Sequence, residues 1–421
     1  MRSGIIVVLC LATAVCAVRA QDGTPLSAEG AGIFTSFAGS RSAGMGNSGL
    51  ALSGNGYLSL LNPASWSGLE SVQITAAFGF SGVSSQDNKM GQTSYYANGN
   101  FNGGTFALPI DRGLGISIAG GFAPLTSYQY QIVSTVPDTS GIPTHTYLRT
   151  GAGGLGEGFF GGTVSPIKEL NLGAMFQYAF GRTELTGQII FDSSGYENSY
   201  LDNSMYLRGP AGTIGFQAHD LDQLSGWSFL KGISIGGYYR GAFDLNGTSA
   251  VRSIYAADSD YTFTSGAAGR IPPEYGLGLA DKINDELSAL LDFRLRKLSQ
   301  YYDTFTSAGT LKDALFLGGG MEYLAGRSIA TLFQRRVLRA GFYYQETQFE
   351  VPTRSGQLKQ LDELFLTAGI EMPISVTASI DLSAQYGLRG ISSDFLFREH
   401  VFRLYLSITM GEVWFSRPEG E

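Results

Sequence analysis

The chain has 421 residues, of which 15% are charged and 12% aromatic, and it contains 58 glycines. A soluble protein carries nearer a quarter charged residues, and glycine is here at about twice its usual share of roughly 7%. Without Arg2 and Arg19, 26 basic side chains stand against 36 acidic ones, a net charge of −10. This balance argues against nucleic acid as a partner, because that binding depends on neutralising phosphates.

Residues 1–20 have the pattern of a secretory signal peptide. Arg2 supplies the positive end, residues 4–18 form an apolar core, and small residues around Ala20 provide a cleavage site. Cleavage there would leave Gln21 as the first residue of the mature chain. We therefore expect export, and this segment to be removed.

Both cysteines of the sequence lie inside this signal. Cys16 raises the alternative of a lipoprotein, but Val15 before it is not the small residue that such processing needs. With Cys10 and Cys16 removed, no thiol is left for a disulfide or a metal. No later run of about 18 apolar residues predicts a membrane helix.

The next region, residues 21–70, is predicted to be an amino-terminal leader followed by a glycine-rich stretch without strand or helix periodicity. Gly39 to Trp66 contains six glycines and ends in Asn62-Pro63-Ala64. Proline removes a backbone donor and restricts the residue before it, so this tripeptide interrupts any regular element. We predict a compact irregular plug over about residues 28–68.

From Ser71 onward, apolar and polar residues alternate in short blocks, which is typical of strands. Membrane barrels use even strand numbers, and we predict about fourteen strands. Fifteen segments can be drawn, so one between 203 and 281 is expected to be half of a longer strand. The segments are 71–82, 93–108, 113–123, 153–165, 169–180, 203–217, 232–245, 248–257, 273–281, 286–298, 313–324, 337–349, 361–373, 377–388 and 399–410.

The alternation gives each strand an apolar and a polar face. In 286–298, Leu291 and Phe293 alternate with Asp292 and Arg294. A soluble antiparallel sandwich would show the same pattern. The signal peptide and the lack of any domain break favour a membrane barrel, since only a closed sheet pairs all its backbone groups in lipid. The predicted fold is all-β: a transmembrane antiparallel β-barrel over 71–415, with the plug in its lumen.

The connections between the predicted strands differ in length. Short turns such as Asp111-Arg112-Gly113 and Pro166-Ile167-Lys168 are expected on the periplasmic side and longer loops outside. The chain places an aromatic pair, Trp414-Phe415, before a short extension, 416–421. The predicted outer loops are Tyr128–Thr150, Arg182–Asn203, Ala256–Arg270 and Tyr301–Lys312.

The plug carries a family resemblance. Residues 41–46 (Arg-Ser-Ala-Gly-Met-Gly), 49–51 (Gly-Leu-Ala) and 60–64 (Leu-Leu-Asn-Pro-Ala) resemble the amino-terminal hatch of FadL/TodX-type outer-membrane transporters. A similar opening occurs in PorV-type barrels of type IX secretion. Identical residues support the resemblance only in the hatch, whereas in the remaining chain it rests on the pattern of alternating strands. The hatch residues that it points to are Gly44, Gly46, Asn62, Pro63 and Ala64.

The FadL/TodX resemblance implies passive uptake of long-chain fatty acids or other hydrophobic small molecules, with hatch movement and lateral release among outer-membrane lipids. The PorV resemblance implies instead a barrel that binds or tethers secreted protein. A general porin with an open water channel is a third alternative. A lateral opening needs a strand that fails to pair, and Gly120, Gly121 and Pro124 are the best local candidates because Pro cannot donate to a ladder.

Charged residues recur on the lumenal face of the later strands. One interpretation is an ion-pair network that holds the plug, since barrel interiors are polar. The other is that an arginine binds a ligand carboxylate, for which its forked guanidinium is suited. These residues are Asp292, Arg294, Arg296, Glu322, Arg339, Glu363, Glu371, Asp381, Arg389 and Arg403.

Three patterns suggest catalysis or cofactors without the context they require. Residues 44–49 match G-x-G-x-x-G but lack the strand, helix and acidic residue of a dinucleotide site. Residues 232–236 match G-x-S-x-G inside a predicted strand instead of a strand-to-helix turn. His145, His219 and His400 share no ligand spacing. We therefore expect no enzyme activity, no cofactor and no metal.

Overall fold

The computed structural model describes residues 23–412, apart from 31, 36–38, 53–57, 88–90, 139–142, 194, 257–258, 305–308, 326–335, 376 and 393. The predicted signal peptide, the aromatic pair and the extension 416–421 lie outside the described residues. No helix within the described ranges is long and apolar enough to cross a membrane.

The structure is built almost entirely of strands. Within the described ranges, the two short α-helices are α1 (Ser40–Ala43) and α2 (Leu221–Ser225). Single 3-10 turns occur at Pro25–Ala28, Pro63–Gly68, Ser228–Leu230 and Leu298–Gln300. The strands are β1 Ile33–Phe34, β2 Val72–Asp87, β3 Gln92–Asp111, β4 Ile116–Pro124, β5 Thr126–Ser127, β6 Tyr130–Val136, β7 His145–Ile167, β8 Leu170–Phe191, β9 Ser199–Ala218, β10 Ile233–Arg240, β11 Phe243–Ala256, β12 Ser259–Ile271, β13 Glu274–Lys282, β14 Leu287–Arg296, β15 Tyr302–Asp303, β16 Ala314–Ala325, β17 Arg336–Pro352, β18 Leu358–Pro373, β19 Ala378–Arg389 and β20 Phe397–Glu412.

All strands except β1 and β5 form one closed antiparallel barrel with fourteen strands around its wall, as predicted. Four wall strands are interrupted: β4 continues as β6, β10 as β11, β12 as β13, and β14 as β15. Both halves of β10–β11 pair with β9, so the segments 232–245 and 248–257 are the divided strand that the sequence indicated. The barrel closes where β2 pairs with β20, from Val72 opposite Glu412 to Asp87 opposite Phe397.

Three of the four predicted outer loops are largely wrong, because strands extend into them. β6 and the start of β7 occupy the first, the end of β8 and the start of β9 the second, and β12 the third. β6 shows why: from Val133 onward its residues are exposed on both faces. Such a strand has no apolar face, so its sequence lacks the alternation by which strands were recognised.

The alternation within the lipid-spanning strands is confirmed. In β14, Leu291 is 46% exposed on the outer face, while Asp292 next to it is 1% exposed and points into the lumen. The same division holds in β20, where Phe402 and Leu404 face outward and Tyr405 is buried. The barrel therefore presents an apolar belt outside and a polar interior.

The amino-terminal residues lie inside the lumen in two parts. The first, which we call the strap, is Gly23–Thr35 with residue 31 undescribed; its strand β1 pairs with β5, Ile33 opposite Ser127. Leu26 of the strap packs in a cluster with Phe349 and Phe395. The second part, residues 39–69 apart from 53–57, is the plug, and its Trp66 is fully buried. The chain's own amino-terminal region thus occupies much of the lumen.

Candidate functional site

Asn62 joins the plug to the wall. Its side-chain Nδ2 donates to the carbonyl oxygens of Leu50, at 2.8 Å, and of Phe216 in β9, at 3.1 Å. Its Oδ1 accepts from the backbone N–H of Ala64 at 3.1 Å and so caps the turn that Pro63 begins. The Asn-Pro-Ala motif therefore fixes a turn of the plug against one wall strand.

The two motif glycines allow the plug backbone to approach the wall closely. A Cβ at Gly46 would lie 2.2 Å from the carbonyl oxygen of Phe342, and its φ of +66° also favours glycine. A Cβ at Gly44 would lie 3.0 Å from the Cα of Gly369. Glycines of the wall face the same turn, since a Cβ at Gly341 would lie 2.6 Å from the nitrogen of Gly46.

One cluster of lumenal charges ties the plug to β16, β17 and β19. Arg41 of α1 donates two hydrogen bonds to Glu322, at 2.8 and 2.7 Å. Arg339 contacts the same carboxylate at 2.8 Å, Asp381 at 2.5 Å, and also Glu371. The two guanidinium groups thus share three carboxylates, which keeps these charges paired within the lumen.

Asp292 and Arg294 hold another part of the plug. The Asp292 carboxylate accepts from the backbone nitrogens of Gly49, at 2.7 Å, and Leu50, at 3.0 Å. Arg294 donates to the Asn47 carbonyl at 3.2 Å. Both residues therefore bind plug backbone instead of each other.

Arg296 and Arg389 belong to ion pairs higher in the lumen. Arg296 contacts Glu274 at 2.6 Å, and Arg389 contacts Glu363 at 2.8 Å and Glu399 at 2.9 Å. Glu399 also accepts a 2.5 Å hydrogen bond from the hydroxyl of strap residue Thr24. This second set of charges therefore reaches the strap.

The wall is interrupted after Pro124. Gly120 and Gly121 pair on both sides, with β3 and with β7, so the wall is closed at these two glycines. Beyond Pro124 the chain enters the lumen, where β5 pairs with the strap, and it returns as β6. β6 pairs with β7, and among the described residues no ladder joins it to β3. A gap therefore separates β6 from the upper half of β3.

A β-bulge in β3 sets the lining of this gap. Ala77 and Phe78 of β2 pair with Gly103 and Phe101, which leaves Asn102 as an extra residue. The bulge reverses the faces of the strand above it, so Phe101 is 48% exposed outside and Asn102 is buried. As a result, the side chains of Asn98, Asn100 and Asn102 line the interior beside the gap.

Behind the gap lies a cavity of about 490 Å³. Phe80, Phe101 and Phe122, all partly exposed on the outer surface, form its edge, so the cavity reaches the lipid-facing side. Its interior includes Val401 and Arg403 from the wall. A smaller cavity of about 60 Å³ also contacts Asn102 and extends between the wall and the plug, beside Arg41 and Asp381.

Arg403 differs from its lumenal neighbours. Its Nη1 donates to the hydroxyl of Tyr343 at 2.7 Å, and its guanidinium lies 4.6 Å from the ring centre of Phe365. Within the described part of the chain, no carboxylate lies within 4.0 Å of it, whereas Arg389 in the same cavity has two. The direct contacts of Arg403 are therefore neutral, and the Glu363 carboxylate, which pairs with Arg389, attracts it from farther away.

The residues of the catalytic and cofactor patterns do not converge. His145 contacts the Pro143 carbonyl, His219 contacts Asp220, and His400 contacts Tyr386, each at a separate place. Residues 44–49 form the plug turn, and 233–236 lie in β10. No group of three or more His, Cys, Asp or Glu side chains in the described ranges is arranged to hold a metal.

A comparison with known protein families shows which family the chain belongs to. A family model described as BamG matches residues 1–419. The chain belongs to the BamG family. No curated protein sequence matches this BamG-family chain.

Solved structures resemble the BamG-family barrel in fold. The Ralstonia pickettii toluene transporter TbuX is 16% identical, with a TM-score of 0.57 over 88% of this chain and 97% of that one. A Pseudomonas aeruginosa FadL homologue is 13% identical, with a TM-score of 0.55 over 90% and 98%. The Pseudomonas putida toluene transporter TodX is 13% identical, with a TM-score of 0.56 over 89% and 97%. The resemblance to the FadL/TodX fold is thereby confirmed.

Proposed function

We propose that this barrel resides in the outer membrane after removal of residues 1–20 and that it admits hydrophobic small molecules bearing a carboxylate, such as long-chain fatty acids. Entry is from the outer leaflet, through the gap between β3 and β6, into the cavity behind it. The names of TbuX and TodX describe toluene transporters, which supports a lipophilic cargo. The plug, with its Asn62-Pro63-Ala64 turn, serves as the hatch below the cavity.

The observation that carries this proposal is Arg403 in the cavity. About 490 Å³ is within the usual range of roughly 300–1,000 Å³ for small-molecule sites. Val401 and Phe80 supply apolar contacts for an acyl chain, and Arg403 supplies a charge without a carboxylate partner. A ligand carboxylate would accept a charge-assisted hydrogen bond from the Arg403 guanidinium.

Onward passage requires the plug to move. The smaller cavity beside Arg41 and Asp381 lies between plug and wall and shares Asn102 with the main cavity. Its volume, about 60 Å³, is too small for an acyl chain. We infer that release of Arg41 from Glu322 widens this route.

The test is native mass spectrometry of the detergent-purified barrel with added palmitate. We expect bound palmitate in the parent protein and a loss of about 10- to 100-fold in affinity for Arg403→Gln, because a hydrogen bond to a charged group contributes about 1.5–3 kcal/mol. Arg182→Gln is the control, because its ion pair with Glu184 is largely exposed. Hexadecanol should bind the parent and Arg403→Gln equally.

Equal palmitate binding by the parent and Arg403→Gln would refute the role of Arg403. An empty cavity in a barrel that instead retains a co-purified secreted protein would favour the PorV-like alternative.

A further inference from the structure

The upper half of β3 has one paired edge and one free edge. Residues Gln92–Phe101 pair with β2 on one side. On the other side, the strand that should follow is β6, which pairs only with β7 among the described residues. The Asn98 side chain donates to the Gln129 side chain across the start of the gap. Above this contact, alternate backbone N–H and C=O groups of β3 are left without a strand partner.

This free edge lies partly at membrane depth. Gly99 is opposite Phe80, and Ala97 is opposite Gly82, whose other neighbour is Phe402. Phe80 and Phe402 belong to the exposed apolar belt. Backbone groups in lipid need partners, and a free strand edge is a template for pairing with another strand.

We propose that the free edge of β3 binds an extended segment of another polypeptide as an added antiparallel strand. Only a polypeptide backbone presents donors and acceptors at the spacing of a strand edge, and this mode of recognition draws its affinity from main-chain hydrogen bonds. The proposal uses the backbone of β3 and not Arg403, so it does not rest on fatty-acid binding. An added strand would occupy the gap through which cargo is proposed to enter, so a barrel that carries it should not take up fatty acid by that route.

The two faces of β3 define the sequence of the partner. Outward positions Ala97 and Gly99 are small, which leaves room beside them for apolar side chains of the added strand. Inward positions Asn98 and Asn100 offer amide groups to polar side chains. The segment that fits has apolar and polar residues in alternation, with the apolar ones facing lipid.

The test is a disulfide between a synthetic peptide and the barrel in lipid nanodiscs. The probe is a ten-residue peptide of alternating Val and Thr with one central outward Cys, and the barrel carries Ala97→Cys. Gly82→Cys is the matched control: it lies opposite Ala97 on the same face, but β2 is paired on both edges. Its added side chain has room, with the nearest atom 3.9 Å from the Cβ.

We expect at least tenfold more peptide adduct with Ala97→Cys than with Gly82→Cys. A peptide with N-methyl groups on alternate residues, on the edge facing β3, should lose the adduct because it cannot donate. Equal adduct at both positions, no adduct at Ala97→Cys, or an adduct insensitive to N-methylation would overturn the proposal. Heat-modifiability on gels shows whether both variants are folded, and palmitate binding measured separately distinguishes this result from a failure of the proposed transport.

Discussion

Arg41 of the plug and Glu322 of β16 are joined by two parallel hydrogen bonds, Nε to Oε2 at 2.8 Å and Nη2 to Oε1 at 2.7 Å. Both side chains are mostly buried. Such a bidentate pair fixes orientation as well as distance. It connects a segment without strand structure to the rigid wall, at the place where the smaller cavity separates the two.

Arg41→Gln should loosen the plug without unfolding the barrel. Glu322 keeps its contact with Arg339, so the expected cost is about 1–3 kcal/mol, that of one disrupted charged hydrogen-bonding site. Hydrogen exchange should increase in the plug and stay unchanged in the wall strands. Arg182→Gln, which disrupts an exposed pair, should change neither. Unchanged plug exchange in Arg41→Gln would contradict the anchoring role.

Two substitutions of Asn62 separate the contribution of its donor, Nδ2, to stability from that of its acceptor, Oδ1. Asn62→Ala leaves two carbonyl oxygens without a donor and should lower the unfolding free energy by about 2–4 kcal/mol. Asn62→Asp retains the cap on Ala64 but sets a second oxygen against the Leu50 and Phe216 carbonyls. We therefore expect the Asp variant to be less stable than the Ala variant, as measured by thermal unfolding. If Asp were tolerated better, the cap would be the main contribution.

Comparing Gly46→Ala with Gly226→Ala separates a steric collision from backbone strain. Both glycines have similar positive φ values, +66° and +74°, and an alanine at either position should cost about 1–2 kcal/mol in backbone strain. A Cβ at Gly226 has no atom within 4 Å, whereas one at Gly46 collides with the Phe342 carbonyl. The Gly46 variant should therefore lose about 1–3 kcal/mol more. Similar unfolding temperatures for the two variants would show that the plug shifts to accommodate the added carbon.

A reducible cross-link across the gap tests lateral entry. The side chains of Asn98 and Gln129 are in contact, and both are longer than cysteine, so a direct disulfide would be too short. The pair Asn98→Cys and Gln129→Cys should instead be joined by a short bis-methanethiosulfonate reagent, which links two thiols through reducible disulfides. Uptake of a fluorescent fatty acid into vesicles containing the barrel should then fall by at least tenfold and recover with reductant. Each single variant is the control. Full uptake by the cross-linked protein would show that cargo enters elsewhere.

The outer loop between Lys297 and Asp313 should open in acid. Partial burial raises the pKa of Asp313, but hydrogen bonds from Ser299 and Lys297 outweigh this and hold the pKa below its usual range. Because the folded pKa is lowered, the stabilisation is present above the ordinary aspartate pKa of about 3.9 and is lost as the pH falls through the folded value. Pepsin cleavage of this loop should increase toward pH 2. Cleavage rates are normalised to those of an unstructured peptide, because pepsin's own activity depends on pH. After this normalisation, Asp313→Asn should show no increase between pH 5 and pH 2.

The features that could be predicted from the sequence are those that depend on the alternation of apolar and polar residues along strands in contact with lipid. The barrel and the opposite orientations of Asp292 and Leu291 follow from this alternation, because every second residue of such a strand must be apolar. The sequence of strand Ser259–Ile271 predicts a loop instead, because lipid does not enforce an alternation of apolar and polar residues there. The bulge at Asn102 was also missed, since one extra residue leaves composition unchanged while it reverses the faces of β3.

The interior could be predicted only in part. The polarity of Arg403 was evident, but whether a carboxylate meets it depends on contacts between strands far apart in sequence. The strap was expected only as a leader to the hatch, because its short turn and two-residue strand carry no periodic signal. The glycines of the Gly44–Gly49 turn are evident in the sequence. The reason why glycine is needed there, the close approach of the wall backbone at Phe342, is visible only in the structure.

The pairing of β2 with β20 constrains the order of assembly. The wall becomes continuous only when its last strand meets its first, more than 300 residues earlier in sequence. The plug contacts distant strands of the lumen, among them β9 and β19. We therefore expect the wall to close around the amino-terminal region. Such distant pairing makes folding slow, and a substitution that weakens these contacts should appear as delayed closure before it appears as altered transport.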